Sequence, residues 1–183
     1  MHTPSLIFYG DGATDQFGRC ASGAGDVNGD GFDDLIIGAY NADGSANNKP
    51  DTGDSYLIFG SATLPSTINL GSPTLNGVTF FGSDTGDRTG VSVSDAGDVN
   101  GDGHLDAVVT SAASLTWVTV HPNDGAGGLG PGQPQPAAPD LIRDIELGDI
   151  VGDGDLDLAT QRLGLLEWRV NDSTGSFAVS HVI

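Results

Sequence analysis

The sequence predicts an all-β protein made of about three repeated blades, and three observations carry that prediction. Short runs of β-branched and aromatic residues recur along the chain, bounded by Gly, Asp, Asn and Pro. No window sustains a helical period, and 29 Gly with 9 Pro oppose any long helix. A segment near the start returns at a constant offset of 72 residues.

The runs fall into three groups. Unit one holds Leu6–Tyr9, Leu35–Ile37 and Tyr56–Phe59. Unit two holds Val78–Phe81, Ala107–Thr110 and Leu115–Val120. Unit three holds Leu158–Thr160, Leu165–Val170 and Phe177–Ile183. Three to four strands per unit is the content of a four-stranded antiparallel propeller blade. Blades are therefore expected over residues 1–77, 78–139 and 140–183. Asn41–Asp54 reads as a loop inside unit one, and Pro122–Pro139 as a Gly/Pro linker between units two and three. Propellers close with about four to eight blades. Three imply an open arc, a fragment, or a ring completed by an oligomer or by the rest of a larger propeller.

The repeat is explicit in the residues. Leu6–Gly38 laid over Val78–Thr110 gives 14 identities in 33 positions without a gap. They include Phe8/Phe80, Gly10/Gly82, Asp15/Asp87 and Gly18/Gly90. The run Ala24-Gly25-Asp26-Val27-Asn28-Gly29-Asp30-Gly31 recurs whole as 96–103. A weaker third copy, Gly148–Asp157, follows 51 residues after the second. The tails of units two and three also correspond, through Asn123-Asp124-Gly125 and Asn171-Asp172-Ser173-Thr174-Gly175.

Composition excludes several classes. The formal charge is −19, with only Lys49 and five Arg on the basic side. Phosphate backbones and anionic lipid need clustered Lys and Arg, so no nucleic-acid partner is expected. No apolar run approaches the ~18 residues of a membrane helix, so no membrane insertion is expected. Leu6–Tyr9 is too short for a signal-peptide core, so no export signal is expected in these residues. The single Cys20 leaves no internal disulfide and no Cys-based zinc site. The acids are 23 Asp against Glu146 and Glu167 alone. A short side chain with hard oxygens fits inside a tight loop, which points to cation loops rather than a generic acidic coat.

Numbered from its first Asp, loop one places Asp26, Asn28, Asp30, Gly31, Phe32 and Asp34 at positions 1, 3, 5, 6, 7 and 9. Side-chain oxygens at 1, 3 and 5 converge when the chain coils, Gly at 6 permits the turn, and position 7 offers its carbonyl. Loop two repeats this with Asp98, Asn100, Asp102, Gly103, His104 and Asp106. Three carboxylates, an amide oxygen and a carbonyl suit Ca²⁺ better than a transition metal. Mg²⁺ prefers to keep its waters in strict octahedral geometry. Position 12 is Ile37, Val109 and Thr160, so these are not EF-hands, which place Glu there. Loop three keeps Asp149, Asp153 and Asp157, with Asp155 at the carbonyl position, but Val151 replaces the ligand at position 3.

Nothing in the chain announces an enzyme. Its four His are scattered (His2, His104, His121, His181), and no Gly-x-Ser-x-Gly or His-Glu-x-x-His motif occurs. A non-catalytic piece of a larger secreted hydrolase or lyase remains an alternative. So does a glycan-binding propeller, in which Trp117 and Trp168 would stack on sugars.

The pattern Phe17-Gly18, then Gly25–Ala39, then Tyr56-Leu57-Ile58-Phe59-Gly60 resembles the FG-GAP repeat, which builds the propeller of integrin α subunits and of bacterial surface proteins. Units two and three resemble the related VCBS-type repeat through their Asn-Asp…Gly tails. The resemblance implies calcium loops on one face of a propeller, held by the loop residues named above. It also implies an adhesive or ligand-binding role at the cell surface or outside it, with a protein or glycan partner.

Overall fold

A computed structural model describes residues 6–72, 75–112, 118–125, 128–135 and 142–182. Met1–Ser5, Pro73, Thr74, Ala113–Trp117, Ala126, Gly127, Pro136–Leu141 and Ile183 lie outside the described residues.

The chain forms strands and turns with no helix among the described residues. Its strands are β1 (Ile7–Tyr9), β2 (Ala21–Gly25), β3 (Asp34–Ala39), β4 (Asp54–Ile58), β5 (Thr67–Asn69), β6 (Gly77–Phe81) and β7 (Val93–Asp95). They continue with β8 (Ala107–Thr110), β9 (Val118–His121), β10 (Gln133–Pro134), β11 (Ile142–Gly148), β12 (Asp157–Arg162), β13 (Leu165–Asn171) and β14 (Phe177–Val182). Three antiparallel four-stranded sheets result, ordered β2-β3-β4-β6, β7-β8-β9-β10 and β11-β12-β13-β14. None closes on itself. These are the propeller-type blades that the repeats predict.

Two boundaries differ from the sequence reading. β6 pairs with β4 as the outer strand of blade one, so that blade ends at Phe81 and not at residue 77. The strand that opens sequence unit two therefore completes the blade before it. Within the Pro122–Pro139 stretch, Gln133 and Pro134 pair with Val120 and Thr119 as the edge of blade two. Pro is compatible with an edge, where its missing N–H faces no partner strand. The counterpart of β6 in unit one is β1. It pairs instead in parallel with β5, a strand inserted between β4 and β6.

The blades stack through two apolar seams. Ile36 and Leu57 of blade one meet Val93, Ala107 and Val109 of blade two. Val108, Val118 and Val120 of blade two meet Ile142, Ile145, Leu158 and Phe177 of blade three. A third cluster, around Ile37, Tyr56, Ile58 and Leu70, sits under the β1–β5 pair on the other face of blade one. Alternate residues of each central strand thus serve opposite seams: Ile36 faces one way and Ile37 the other.

Candidate metal centres

Each Asp-rich loop links the first two strands of a blade: β2 to β3, β7 to β8, and β11 to β12. Its coil depends on glycines in the left-handed region. Gly29 and Gly31 have φ of 73° and 90°, Gly101 and Gly103 have 73° and 92°, and Gly152 and Gly154 have 80° and 97°.

In loop one, Asp26 Oδ1 and Asn28 Oδ1 both accept the Asp30 amide at 2.9 Å. Asp26 Oδ2 accepts the Gly31 amide at 2.8 Å, and Asp30 Oδ1 accepts the Phe32 amide at 3.0 Å. Loop two reproduces every one of these bonds. Asp98 Oδ1 and Asn100 Oδ1 accept from Asp102 N, Asp98 Oδ2 from Gly103 N, and Asp102 Oδ1 from His104 N. The structure therefore brings positions 1, 3 and 5 over one short stretch of backbone. In loop three, Asp149 accepts from Gly152, Asp153 and Gly154, and Asp153 from Asp155. Val151 adds no oxygen. The Asp155 carboxylate accepts the Ser173 hydroxyl at 2.5 Å.

Position 9 is different in kind. Asp34, Asp106 and Asp157 are all buried, while positions 5 are exposed. Asp34 Oδ2 accepts Val27 N at 2.9 Å and Oδ1 accepts Gly60 N at 2.8 Å. Asp106 binds Val99 N and Asn123 N in the same way, and Asp157 binds Ile150 N and Asn171 N. The ninth carboxylate thus clamps its loop to the C-terminal end of the third strand of its blade or to the residues just after it. Burial holds the Asp34 and Asp106 carboxyls above the usual range, against the pull of these amides. Asn at the clamped position adds a reach between blades. Asn123 Nδ2 donates to Val27 O at 2.5 Å and to Leu105 O at 3.0 Å. Asn171 Nδ2 donates to Val99 O at 2.7 Å and to Leu156 O at 3.0 Å. These Asn bridges were outside the sequence reading. The repeated Asn-Asp in the two tails was their only trace.

The donor set fits a hard cation in its chemistry: oxygen only, with three carboxylates per loop in loops one and two. Each loop oxygen that accepts one amide keeps a second lone pair. Among the described residues, no three Asp, Glu, His or Cys side chains stand as a group that could hold a metal ion by themselves. The positions are shared; the closed coordination sphere is not formed by protein groups alone.

Other singled-out residues have structural places. Cys20 is half-buried, and its Sγ donates to Gly90 O across the first seam. The His121 ring packs tilted against Phe80, with centroids 4.6 Å apart, and burial lowers its pKa. The His104 ring lies against Gly125, where a Cβ would come within 2.3 Å of Nε2. Trp168 is half-buried on the outward face of blade three.

Four-stranded blades stacked through apolar seams, each headed by an acidic loop of one design, define a propeller-type repeat protein. Residues 21–58 match the FG-GAP repeat model, and residues 98–160 match the FG-GAP-like repeat model. The two matches together span more than half of the chain and include all three loops. The chain belongs to the FG-GAP repeat family. No curated protein matches it.

Proposed function

We propose that this chain is a non-enzymatic, calcium-stabilised repeat module that binds a protein or glycan partner at the cell surface or outside the cell. The observation that carries the reading is the identical gathering of positions 1, 3 and 5 in loops one and two. Asp26, Asn28, Asp30, the Phe32 carbonyl and Asp34 would hold one ion. Asp98, Asn100, Asp102, the His104 carbonyl and Asp106 would hold another. Asp149, Asp153, Asp157 and the Asp155 carbonyl offer a poorer third set, for want of an oxygen at Val151. A bound ion supplies charge neutralisation, in a chain of formal charge −19. The clamped Asp at position 9 would pass that stabilisation from loop to blade.

Extracellular calcium modules have dissociation constants of about 10⁻⁴ to 10⁻³ M, a range that leaves loops filled outside cells and empty in cytosol. Calcium at about ten times the dissociation constant adds about 1.4 kcal/mol per site. Thermal unfolding in calcium and in EDTA tests the reading. Calcium should raise Tm by several degrees, with Mg²⁺ a weak substitute. The same melt in both buffers would overturn it.

A further inference from the structure

We propose that blade one carries a pocket for an alkylammonium cation, in the space between the blade and its β1–β5 cap. Asp54 and Asp11 would bind the charge, and Tyr56 and Phe81 would flank it.

Strand register builds the wall. Asp54 opens β4 and pairs with Ala39 of β3 and Phe81 of β6. Alternate residues of a strand share a face, so Asp54 and Tyr56 point the same way. Tyr56 packs there with Leu70 and Leu75, from the segment that joins β5 to β6. The cavity between them measures about 410 Å³, a volume suited to a small ligand. Asp11 reaches it from the turn after β1. Gly71 permits that approach, because a Cβ there would collide with Asp11 Oδ1.

Asp54 is the group that calls for a ligand. It is 4% exposed, and its Oδ1 accepts no hydrogen bond. Its Oδ2 accepts the Tyr56 hydroxyl at 3.4 Å. The charges that act on it are those of Asp15, Asp11 and Asp43, all of its own sign. A buried carboxylate is stable as an ion only beside an opposite charge. Blade three shows that remedy within the chain: Glu167 is 2% exposed and pairs with Arg162 and Arg169. Among the described residues, no Lys, Arg or His lines the cavity at Asp54. Nor does the blade design require an acid here. Ala39 and Arg162 both follow their position 9 Asp by five residues, and the partner of Arg162 is Leu165 where that of Ala39 is Asp54.

The lining selects the cation. No three of its acids stand as a group that could hold a metal ion, so a larger cation with several N–H donors suits them better. A guanidinium is a planar fork that takes both oxygens of one carboxylate. Asp54 offers Oδ1 alone, which suits the compact head of an ammonium. Tyr56 and Phe81 present aromatic rings to that head, and Leu70 and Leu75 present apolar surface to its alkyl stem. The stem could belong to a lysine of a protein partner or to a free diamine. None of these residues belongs to an Asp-rich loop, so the pocket stands or falls apart from the calcium reading.

Titration calorimetry of the full chain with butylammonium, in calcium-containing buffer at fixed ionic strength, tests the pocket. Saturable binding is expected, about tenfold tighter at pH 8 than at pH 6, because the bound cation must displace the proton that Asp54 holds up to about pH 7. Proton release at pH 6, read from buffers of different ionisation enthalpy, should accompany it. D54N should weaken binding about tenfold or more and abolish the proton release. D11N changes an exposed residue that the fold does not need, and should weaken binding about threefold. D33N, which removes an exposed carboxylate outside the pocket, should change nothing. The tighter binder of lysine capped at both backbone ends and 1,4-diaminobutane names the source as a partner's side chain or a free diamine. Absence of saturable binding, an affinity indifferent to both D54N and D11N, or tighter binding of methylguanidinium than of butylammonium overturns the proposal.

Discussion

Asn171 donates its side-chain amide to the carbonyl of Val99 at 2.7 Å, and that bond ties the loop of blade two to the third strand of blade three. The same Asn donates to Leu156 O in its own blade and gives its backbone N–H to Asp157. One residue thus joins two loops and one clamp, and Asn171, Val99 and Asp157 are all buried.

Removing that amide should be costly. N171A leaves the Val99 and Leu156 carbonyls without their donor, at about 1–3 kcal/mol for buried groups. N123A should cost a similar amount through Val27 and Leu105. Urea unfolding checks both. The aspartate at each site is not expected to compensate, because its backbone bond runs through the main-chain N–H that the substitution keeps.

Positions 5 and 9 should separate cleanly. D102N changes an exposed loop carboxylate, and should leave the melt in EDTA within about 0.5 kcal/mol of wild type while reducing the calcium shift. D106N alters a buried clamp that accepts from both Val99 and Asn123, and should lower Tm in EDTA as well. Calorimetry of the two variants with and without calcium reads the difference.

Stability should fall as pH rises. Burial lifts the Asp54 carboxyl to about 7, with Asp15, Asp11 and Asp43 adding to the shift and the Tyr56 hydroxyl opposing it. The folded chain keeps a proton that the unfolded chain releases near pH 4, so stability is lost between about pH 4 and pH 7. Asp15, Asp34 and Asp106 are raised in the same direction by burial. In EDTA, Tm should drop on going from pH 5 to pH 8, and D54N should flatten that slope. A Tm that rises over this range would contradict the assignment.

The glycines before the loops offer a paired control. G97A places a Cβ on Leu156 at a backbone φ of 63°, and should cost about 1–2 kcal/mol. G148A meets open space and should cost little. Chemical denaturation of the two variants compares a glycine at positive φ against Leu156 with one that has neither constraint.

The loops and the blade count were legible because both are written in local spacing. Asp-x-Asn-x-Asp-Gly fixes a coil by its own side chains and glycines, whatever lies across from it. Central strands such as Asp34–Ala39 and Ala107–Thr110 announce themselves by β-branched runs. The innermost strands did not. β2 is Ala-Ser-Gly-Ala-Gly, with small residues where a seam runs close, and its composition reads as loop. β11 carries a bulge between Ile142 and Asp144, which breaks the period of two and hides Ile142 and Ile145 as partners on one face. β10 contains Pro and sits on an edge, so its pairing depends on β9 alone. The Asn bridges were illegible for a further reason: their acceptors belong to another blade, and no local pattern records that.

The offset between sequence unit and blade has a consequence for how such a chain can grow. The copy that starts at Val78 begins with the strand that finishes its predecessor, as β6 finishes blade one. A duplicated copy inserted in register arrives carrying the thread that sews it to what precedes it, and leaves its own hem open for the next. A duplication cut at the blade edges instead would yield a finished patch with nothing to stitch it on. A tandem copy cut at that phase would close the blade before it, as the strand Gly77–Phe81 does for blade one.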